Sequence, residues 1–199
     1  MDSVKTIGGG VGMKKKEMDF FTALYEVASV INASLEPARV LEKIVQSVVQ
    51  AMDLKAASIR LLDDREKKLV LGGAYGLSED YIHKGPILVD ESGVDRKALR
   101  GRTIYLRDAQ TDKGFQYGEK ARAEGIKSVL VMPLMVEKKA IGVLRGYSDR
   151  IREFNERELQ FLQAVSHLSA IAIENARLHQ LLQVRCELMA AHKYRIDDN

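Results

Sequence analysis

The chain has 199 residues, of which 46% are hydrophobic and 30% charged, and its formal net charge is +3. We expect one domain with terminal tails, and the small, dispersed charge argues against a nucleic-acid partner. No apolar run has the length of a membrane span, the N-terminus lacks the apolar segment of a secretory signal, and the single Cys186 excludes an internal disulfide, so we expect a cytoplasmic protein.

The N-terminal part is predicted to be a tail followed by two helices. Residues 1–16 contain Gly8-Gly9-Gly10 and few apolar anchors, which predicts disorder. From Glu17 to Leu35 apolar residues recur at helical spacing. After a break, Pro37 suits the first position of a second helix, whose wide apolar face ends near Met52.

Two hairpins enclose a segment of short elements. The strands Ala56–Leu62 and Leu69–Tyr75 are predicted to form the first hairpin, and Ser128–Val136 and Ala140–Tyr147 the second. Neither arm of the second hairpin alternates cleanly, so both faces of its sheet should be covered. Residues 77–126, here called the roof, are predicted to contain helices at 77–84, 93–100 and 117–124 and strands at 87–89 and 103–106. These elements imply an antiparallel sheet of six strands flanked by helices.

The chain is predicted to end in a helix that runs from about Asn155 to beyond Met189. A compact core cannot cover a helix of this length, and apolar residues continue at helical spacing through its distal part. Terminal helices from two chains would bury this surface, so we expect a parallel homodimer through the N- and C-terminal helices. A frayed helix in solvent is the alternative.

Several short motifs, in this order, resemble those of the GAF domain family. They are Ala57–Leu62, Glu91-Ser92-Gly93, Gly101–Asp108, Ser128, Met132-Pro133-Leu134, Ile141-Gly142-Val143-Leu144, Phe154 and Ala172–Leu178. The resemblance implies an α+β, GAF/PAS-like fold: a central six-stranded antiparallel sheet, terminal helices on one face, and short helices and loops that cap a pocket on the other. It divides the chain into a tail (1–16), a GAF domain (17–178) and a C-terminal helix extension (179–199).

The sequence does not favour catalysis. Its four histidines lack metal-ligand spacing, and no Ser/His/Asp order or nucleophile elbow is present. Some members of the family that this chain resembles reduce free methionine sulfoxide, and that activity depends on several cysteines in the middle segment. The only thiol here is Cys186, in the terminal helix, so we expect no enzyme.

The sequence does not identify a cofactor. Bilin-binding relatives use a cysteine near a histidine in the roof, and His83 has no such neighbour. His83 is also the only candidate for an axial haem ligand. The motif associated with cyclic nucleotides begins Asn-Lys, where this chain has Tyr147-Ser148, although Phe154 and Glu158 match its remainder. A haem or cyclic-nucleotide sensor therefore remains an alternative.

Two arginines interrupt apolar strands that should be central neighbours. Arg60 and Arg145 would each be costly to bury unpaired, so each needs a carboxylate, a set of carbonyls, solvent or an anion. Pairing with acidic groups of the covering helices, or extension to an edge, is one interpretation. The other is an anionic small molecule under the roof. The candidate ligand-binding residues are Arg60, Tyr75, Tyr81, Arg96, Tyr117, Ser128, Met132 and Arg145.

These patterns predict a non-catalytic sensory domain that binds a small ligand, an anion in the second interpretation of the arginines, and relays the signal through dimeric terminal helices. The mechanism would be a shift between populations of states. A ligand-free module for dimerisation and signal relay is the alternative. Only a ligand sensor should gain thermal stability with a metabolite.

Overall fold

The computed structural model describes residues 11–33, 36–63, 65 and 67–197, with side chains between 20 and 189. The first ten residues of the predicted tail lie outside the described residues. Helix α1 begins at Val11, so residues 11–16 are helical where the sequence predicted disorder. In chain order the elements are α1 (Val11–Ala33), α2 (Pro37–Met52), β1 (Ala56–Asp63), β2 (Lys68–Tyr75), α3 (Glu79–Ile82), β3 (Ile87–Leu88), α4 (Gly93–Ala98), β4 (Ile104–Leu106), α5 (Gly118–Ala123), β5 (Ser128–Val136), β6 (Lys139–Ser148) and α6 (Glu156–Asp197).

The strands form one sheet in the order β3-β2-β1-β6-β5-β4, and every neighbouring pair is antiparallel. The predicted six-stranded antiparallel sheet is therefore confirmed. The two hairpins meet at its centre, where β1 pairs with β6. The second hairpin is tighter than predicted, because Lys139 already pairs with Val136 and only two residues turn. Glu137 adopts the positive φ of 52° that such a turn requires.

The sheet separates two apolar cores, as the lack of alternation in its central strands predicts. One core packs α1, α2 and α6 against side chains such as Ile59, Leu130 and Leu144. The other lies between the sheet and the roof and includes Val143 and Tyr147. Successive side chains of a strand point to opposite faces, so Val143, Arg145 and Tyr147 of β6 all face the roof.

Gly142 allows the two central strands to approach closely. A Cβ at this position would overlap the backbone carbonyl of Arg60 on β1. Gly142 pairs with Leu61 on one side and with Leu134 on the other. A side chain at position 142 would therefore disturb the pairing that places Arg60 next to the roof-facing side chains of β6.

Helix α6 has a well-defined start and a long exposed end. Asn155 Oδ1 accepts a hydrogen bond from the Glu158 N–H at 3.0 Å, and Glu158 Oε2 accepts one from the Asn155 N–H at 2.9 Å. This reciprocal cap begins a helix of 42 residues, about 63 Å long at 1.5 Å per residue. Within the described residues, no helix combines the length and the apolar character needed to cross a membrane.

Candidate functional site

A buried polar cluster, here called the roof cluster, lies on the roof face of the two central strands. Ser58 and Arg145 are cross-strand partners, and Arg60 pairs with Val143. The strand period of two therefore brings Ser58, Arg60, Arg145 and Tyr147 to one face. Arg60 is 3% exposed and Arg145 is 2% exposed. The hydroxyls of Ser58 and Tyr147 share a hydrogen bond of 3.0 Å.

Arg145 has a carboxylate partner from the roof. Its Nη2 forms an ion pair with Asp95 Oδ2 on α4, and both side chains are buried. The Ser92 hydroxyl caps α4 by accepting from the Asp95 N–H at 3.3 Å and donates to Asp95 Oδ2 at 2.5 Å. Burial alone lowers the pKa of Arg145, but the Asp95 carboxylate offsets this and raises the pKa above its ordinary value.

Arg60 has no such partner. Its Nε and Nη2 are buried and find no hydrogen-bond acceptor in the described part of the chain. Burial is the largest cause that lowers the pKa of Arg60, and the nearby charge of Arg145 lowers it further. A guanidinium nevertheless stays protonated in proteins. Arg60 is thus a buried cation with two donor nitrogens that lack an acceptor among the residues described, and Arg145 Nε and Asp95 Oδ1 in the same cluster also lack a partner there.

The roof covers the cluster with two tyrosines and a lysine. The rings of Tyr81 and Tyr147 meet edge to face with centroids 6.0 Å apart, and the buried Tyr81 hydroxyl lacks a partner among the described side chains. Lys84 Nζ lies 3.6 Å from the Tyr81 ring centroid and donates to the Tyr81 carbonyl at 3.0 Å. Burial, followed by the charges of Arg60 and Arg145, lowers the pKa of Lys84 to about 7.

The structure brings together four of the eight predicted site residues. Arg60 and Arg145 lie on the sheet, Tyr81 lies above them, and Tyr117 packs against the same core and donates to the Pro86 carbonyl at 2.7 Å. The prediction that both arginines occupy central neighbouring strands is confirmed. The sequence analysis expected such arginines either to pair with acidic groups of covering helices or to bind an anion. Arg145 pairs with Asp95 of a covering helix, whereas Arg60 has no carboxylate partner among the described residues.

Two other predicted residues, Ser128 and Met132, do not join the cluster, because strand alternation points them to the opposite face. Ser128 shares the face of Leu130, and its hydroxyl donates to the Arg107 carbonyl at 2.7 Å at the strand end. Met132 is buried in the helix-side core with Leu130. The prediction that Ser128 and Met132 belong to a ligand site under the roof is corrected accordingly.

The remaining two predicted residues lie at other surfaces. Tyr75 pairs with Ala57, which belongs to the helix-side core, and is exposed at the end of β2. Arg96 is exposed on α4 and donates to the Asp90 carbonyl at 3.1 Å. His83, the haem candidate, is also exposed, with Nδ1 3.3 Å from Glu79 Oε2.

Sequence reasoning missed Asp95 and Lys84. Asp95 follows Ser92 by three residues, the spacing of a helix-capping pair, and lies between the buried Val94 and Ala98. That signal was available, because a carboxylate on a buried helical face requires a partner. Lys84 carries no comparable sequence signal, since its burial depends on how the roof folds over β1 and β6.

The space beside the Asp95–Arg145 pair is closed. Between these residues and the side chains of Ile87, Phe115 and Tyr117 there is no room for a water-sized sphere. A groove of about 560 Å³ lies instead on the helix side of the sheet, among Leu41, Leu61 and Ile173. Across the described residues, no group of three or more His, Cys, Asp or Glu side chains is arranged to hold a metal ion.

Comparisons with known proteins define the class of this fold. A family model described as the GAF domain matches residues 34–174. The chain therefore belongs to the GAF domain family, a family of sensory and regulatory small-molecule-binding domains in signalling proteins. Glu158, which matches part of the family's cyclic-nucleotide motif, here caps α6 and pairs with Arg152.

Solved GAF structures share this fold at low sequence identity. The GAF domain of an Acinetobacter phosphoenolpyruvate-protein phosphotransferase is 25% identical, with a TM-score of 0.69 over 84% of this chain and 96% of that one. The corresponding domain from Coxiella burnetii is 21% identical, with a TM-score of 0.74 over 82% and 98%. A free methionine-R-sulfoxide reductase from Neisseria meningitidis is 20% identical, with a TM-score of 0.69 over 90% and 99%, so the fold also hosts an enzyme.

A curated relative is a transcriptional regulator. The formate hydrogenlyase transcriptional activator of Salmonella typhimurium is 22% identical over 170 residues, which is 83% of this chain. Those residues are 25% of that protein, so the chain spans about a quarter of the length of the curated relatives it matches.

Proposed function

We propose that this chain is a regulatory GAF domain that binds a small anion under its roof and relays binding through its terminal helices. The observation that supports this proposal is Arg60, a cation that is 3% exposed and whose Nε and Nη2 meet no acceptor in the described structure. A ligand carboxylate or phosphate would supply the missing acceptor.

The neighbouring ion pair strengthens the argument by contrast. Arg145, on the paired strand, is neutralised by Asp95 from the roof, so the fold can provide a carboxylate where stability requires one. Leaving Arg60 without one costs stability, since an unpaired buried donor retains its desolvation penalty. Uncompensated buried groups of this kind cluster at functional sites.

The relay would pass through the sheet into the helices. Strand β6 carries Arg145 and pairs with β5, whose Leu130 and Leu134 lie in the core that α6 covers. Beyond this core α6 exposes Leu178, Leu181 and Leu188. We propose that a second copy of the chain covers this surface in a parallel homodimer, so that a change in the roof alters the relative position of paired helices. The homodimer and the cytoplasmic location stay predictions.

We also propose that the domain has no catalytic role. The free thiol of Cys186 is exposed on α6, whereas the polar cluster lies between the sheet and the roof. Turnover of free methionine sulfoxide by the purified protein, without added cysteine, would contradict this part of the proposal.

A ligand-free relay module is the second candidate, and the closed space beside Asp95 and Arg145 favours it. In that case the ion pair would be a permanent tie between roof and sheet. A ligand sensor must instead open or rearrange the roof when it binds, drawing on a less populated state.

Thermal unfolding with a panel of carboxylates and phosphates separates the two functions. For the sensor, at least one anion should raise the unfolding temperature of the wild type in a concentration-dependent way. Arg60→Met should abolish that shift, and Arg150→Met, which removes an exposed arginine paired with Asp53, should retain it. If no anion stabilises the wild type, the relay module is the better account.

A further inference from the structure

The charges that face the roof cluster do not balance. Arg145 is paired with Asp95, and Lys55 lies 3.5 Å from Glu124, whose carboxylate also accepts from Ser78. After these pairs are counted, two basic groups remain that meet no carboxylate among the residues described: the buried Arg60 on β1 and the partly buried Lys84 after α3. An ordinary core would not bury a cation such as Arg60 without a counter-charge.

Lys84 is held in place by the loop that carries it. Gly85 follows with a φ of +123°, and a Cβ there would lie 2.9 Å from the Tyr117 hydroxyl. That hydroxyl donates to the Pro86 carbonyl, which ties the loop to the residue before α5. The turn thus directs the Lys84 side chain back over the Tyr81 ring, 3.6 Å from its centroid, and 5.6 Å from that of Tyr117.

Lys84 is partly exposed, and its ammonium has a single acceptor that the structure records. It has three N–H donors, and it bonds one carbonyl, that of Tyr81, while resting against two aromatic faces. The charged groups that face it are Arg60 from β1, Arg145 from β6, Asp95 from α4 and Glu124 after α5, and the two cations disfavour its protonation. The geometry connects the two basic groups: Lys84 lies on the Tyr81 ring, and that ring contacts Tyr147 on the sheet face that carries Arg60. Among the charges that act on Lys84, Arg60 has the largest effect.

We infer that the ligand under the roof is a small dicarboxylate, with one carboxylate bound by Arg60 and the other by Lys84, and that its binding takes up a proton at Lys84. This inference rests on the proposed function. A guanidinium fork accepts one carboxylate in bidentate fashion, and a second negative charge offsets the repulsion that otherwise favours the neutral amine. The proton comes from solvent buffer, and no covalent bond changes.

Isothermal titration of the wild type in buffers with different ionisation enthalpies tests this inference. The probes are oxalate, malonate, succinate and glutarate, with acetate as the monocarboxylate and inorganic phosphate as a single-centre anion. We expect the best dicarboxylate to bind at least about tenfold more tightly than acetate. Proton uptake should approach one per ligand at pH 8 and diminish at pH 6, where Lys84 is already charged.

Variants of Lys84 test whether this residue binds the second carboxylate and takes up the proton. Lys84→Met should abolish proton uptake and remove the preference for the dicarboxylate over acetate, which Arg60 still binds. Lys84→Arg should keep the preference without proton uptake, because arginine stays charged. Lys97→Met, an exposed lysine on α4, is the matched control and should behave like the wild type. Cooperative thermal unfolding of each variant establishes that it folds.

Three results would overturn the inference. Equal affinity for acetate and the dicarboxylates, without proton uptake, would support an anion site at Arg60 but contradict a second carboxylate site at Lys84. Tighter binding of phosphate than of any dicarboxylate would assign the site to a single-centre anion. Absence of binding by every probe would overturn both the inference and the proposed function.

Discussion

The guanidinium of Arg145 on the central strand β6 forms a buried ion pair with the carboxylate of Asp95 on roof helix α4. The two residues are 50 positions apart in the chain. Their contact therefore ties the roof directly to the middle of the sheet. Because Ser92 also donates to Asp95, the start of α4 depends on the same carboxylate.

Removal of either partner of this pair should be strongly destabilising. Asp95→Asn or Arg145→Met leaves the other group buried without its counter-charge, and we expect a loss of about 3–5 kcal/mol in the free energy of unfolding. The double variant should lose clearly less than the sum of the two. Urea unfolding followed by circular dichroism measures all three.

The exposed pair of Arg150 and Asp53 provides a matched control. Arg150→Met should change the free energy of unfolding by no more than about 1 kcal/mol, since solvent screens exposed pairs. Additive effects of Asp95→Asn and Arg145→Met in the double variant would show that the pair is not coupled as the geometry implies.

Replacement of Arg60 should instead increase the free energy of unfolding. Arg60→Met removes a buried cation that has no described acceptor and keeps much of its apolar contact, so we expect a gain of about 1–3 kcal/mol in the free energy of unfolding. Denaturant unfolding without added anions measures it. A loss of stability comparable to that of Arg145→Met would indicate that Arg60 is paired in solution, and the case for a ligand there would fail.

The sequence predicts the sheet better than it predicts the site. Central strands covered on both faces lack alternation, and this one signal gives the position of β5 and β6 and of the arginines that interrupt β1 and β6. It cannot tell which face a residue such as Met132 occupies, because apolar residues fill both faces of β5. Lys84 was missed for a different reason: its burial comes from tertiary packing of the roof, which local pattern does not encode.

The pH dependence of stability should reveal the state of Lys84. Its pKa is about 7 in the folded chain against an ordinary 10.5. Between these values the unfolded chain holds a proton that the folded chain has released, so the contribution of Lys84 to the free energy of unfolding rises with pH. The slope is at most about 1.4 kcal/mol per pH unit, and less because Lys84 is partly exposed.

Lys84→Met makes this contribution measurable. The variant should exceed the wild type in free energy of unfolding at pH 7, and its advantage should shrink steadily towards pH 10. Urea unfolding at intervals across this range measures the difference, with Lys97→Met as the control for loss of one roof lysine. A difference that is constant with pH would show that Lys84 is protonated normally in the folded state.

The distal part of α6 should pair with its counterpart in a second chain. Leu178, Leu181 and Leu188 are exposed and separated by three and seven residues, which places them on one heptad stripe. In a parallel pair the two copies of Cys186, exposed on the same helix beside this stripe, lie at the same height, so a long, flexible bismaleimide that reaches around the pair should cross-link the wild type into a dimer. Leu181→Glu with Leu188→Glu should abolish the cross-link by placing like charges in the seam, whereas Gln183→Glu should not. Sedimentation of the wild type as a monomer at all concentrations would contradict the dimer, and a dimer that resists cross-linking would contradict the parallel arrangement.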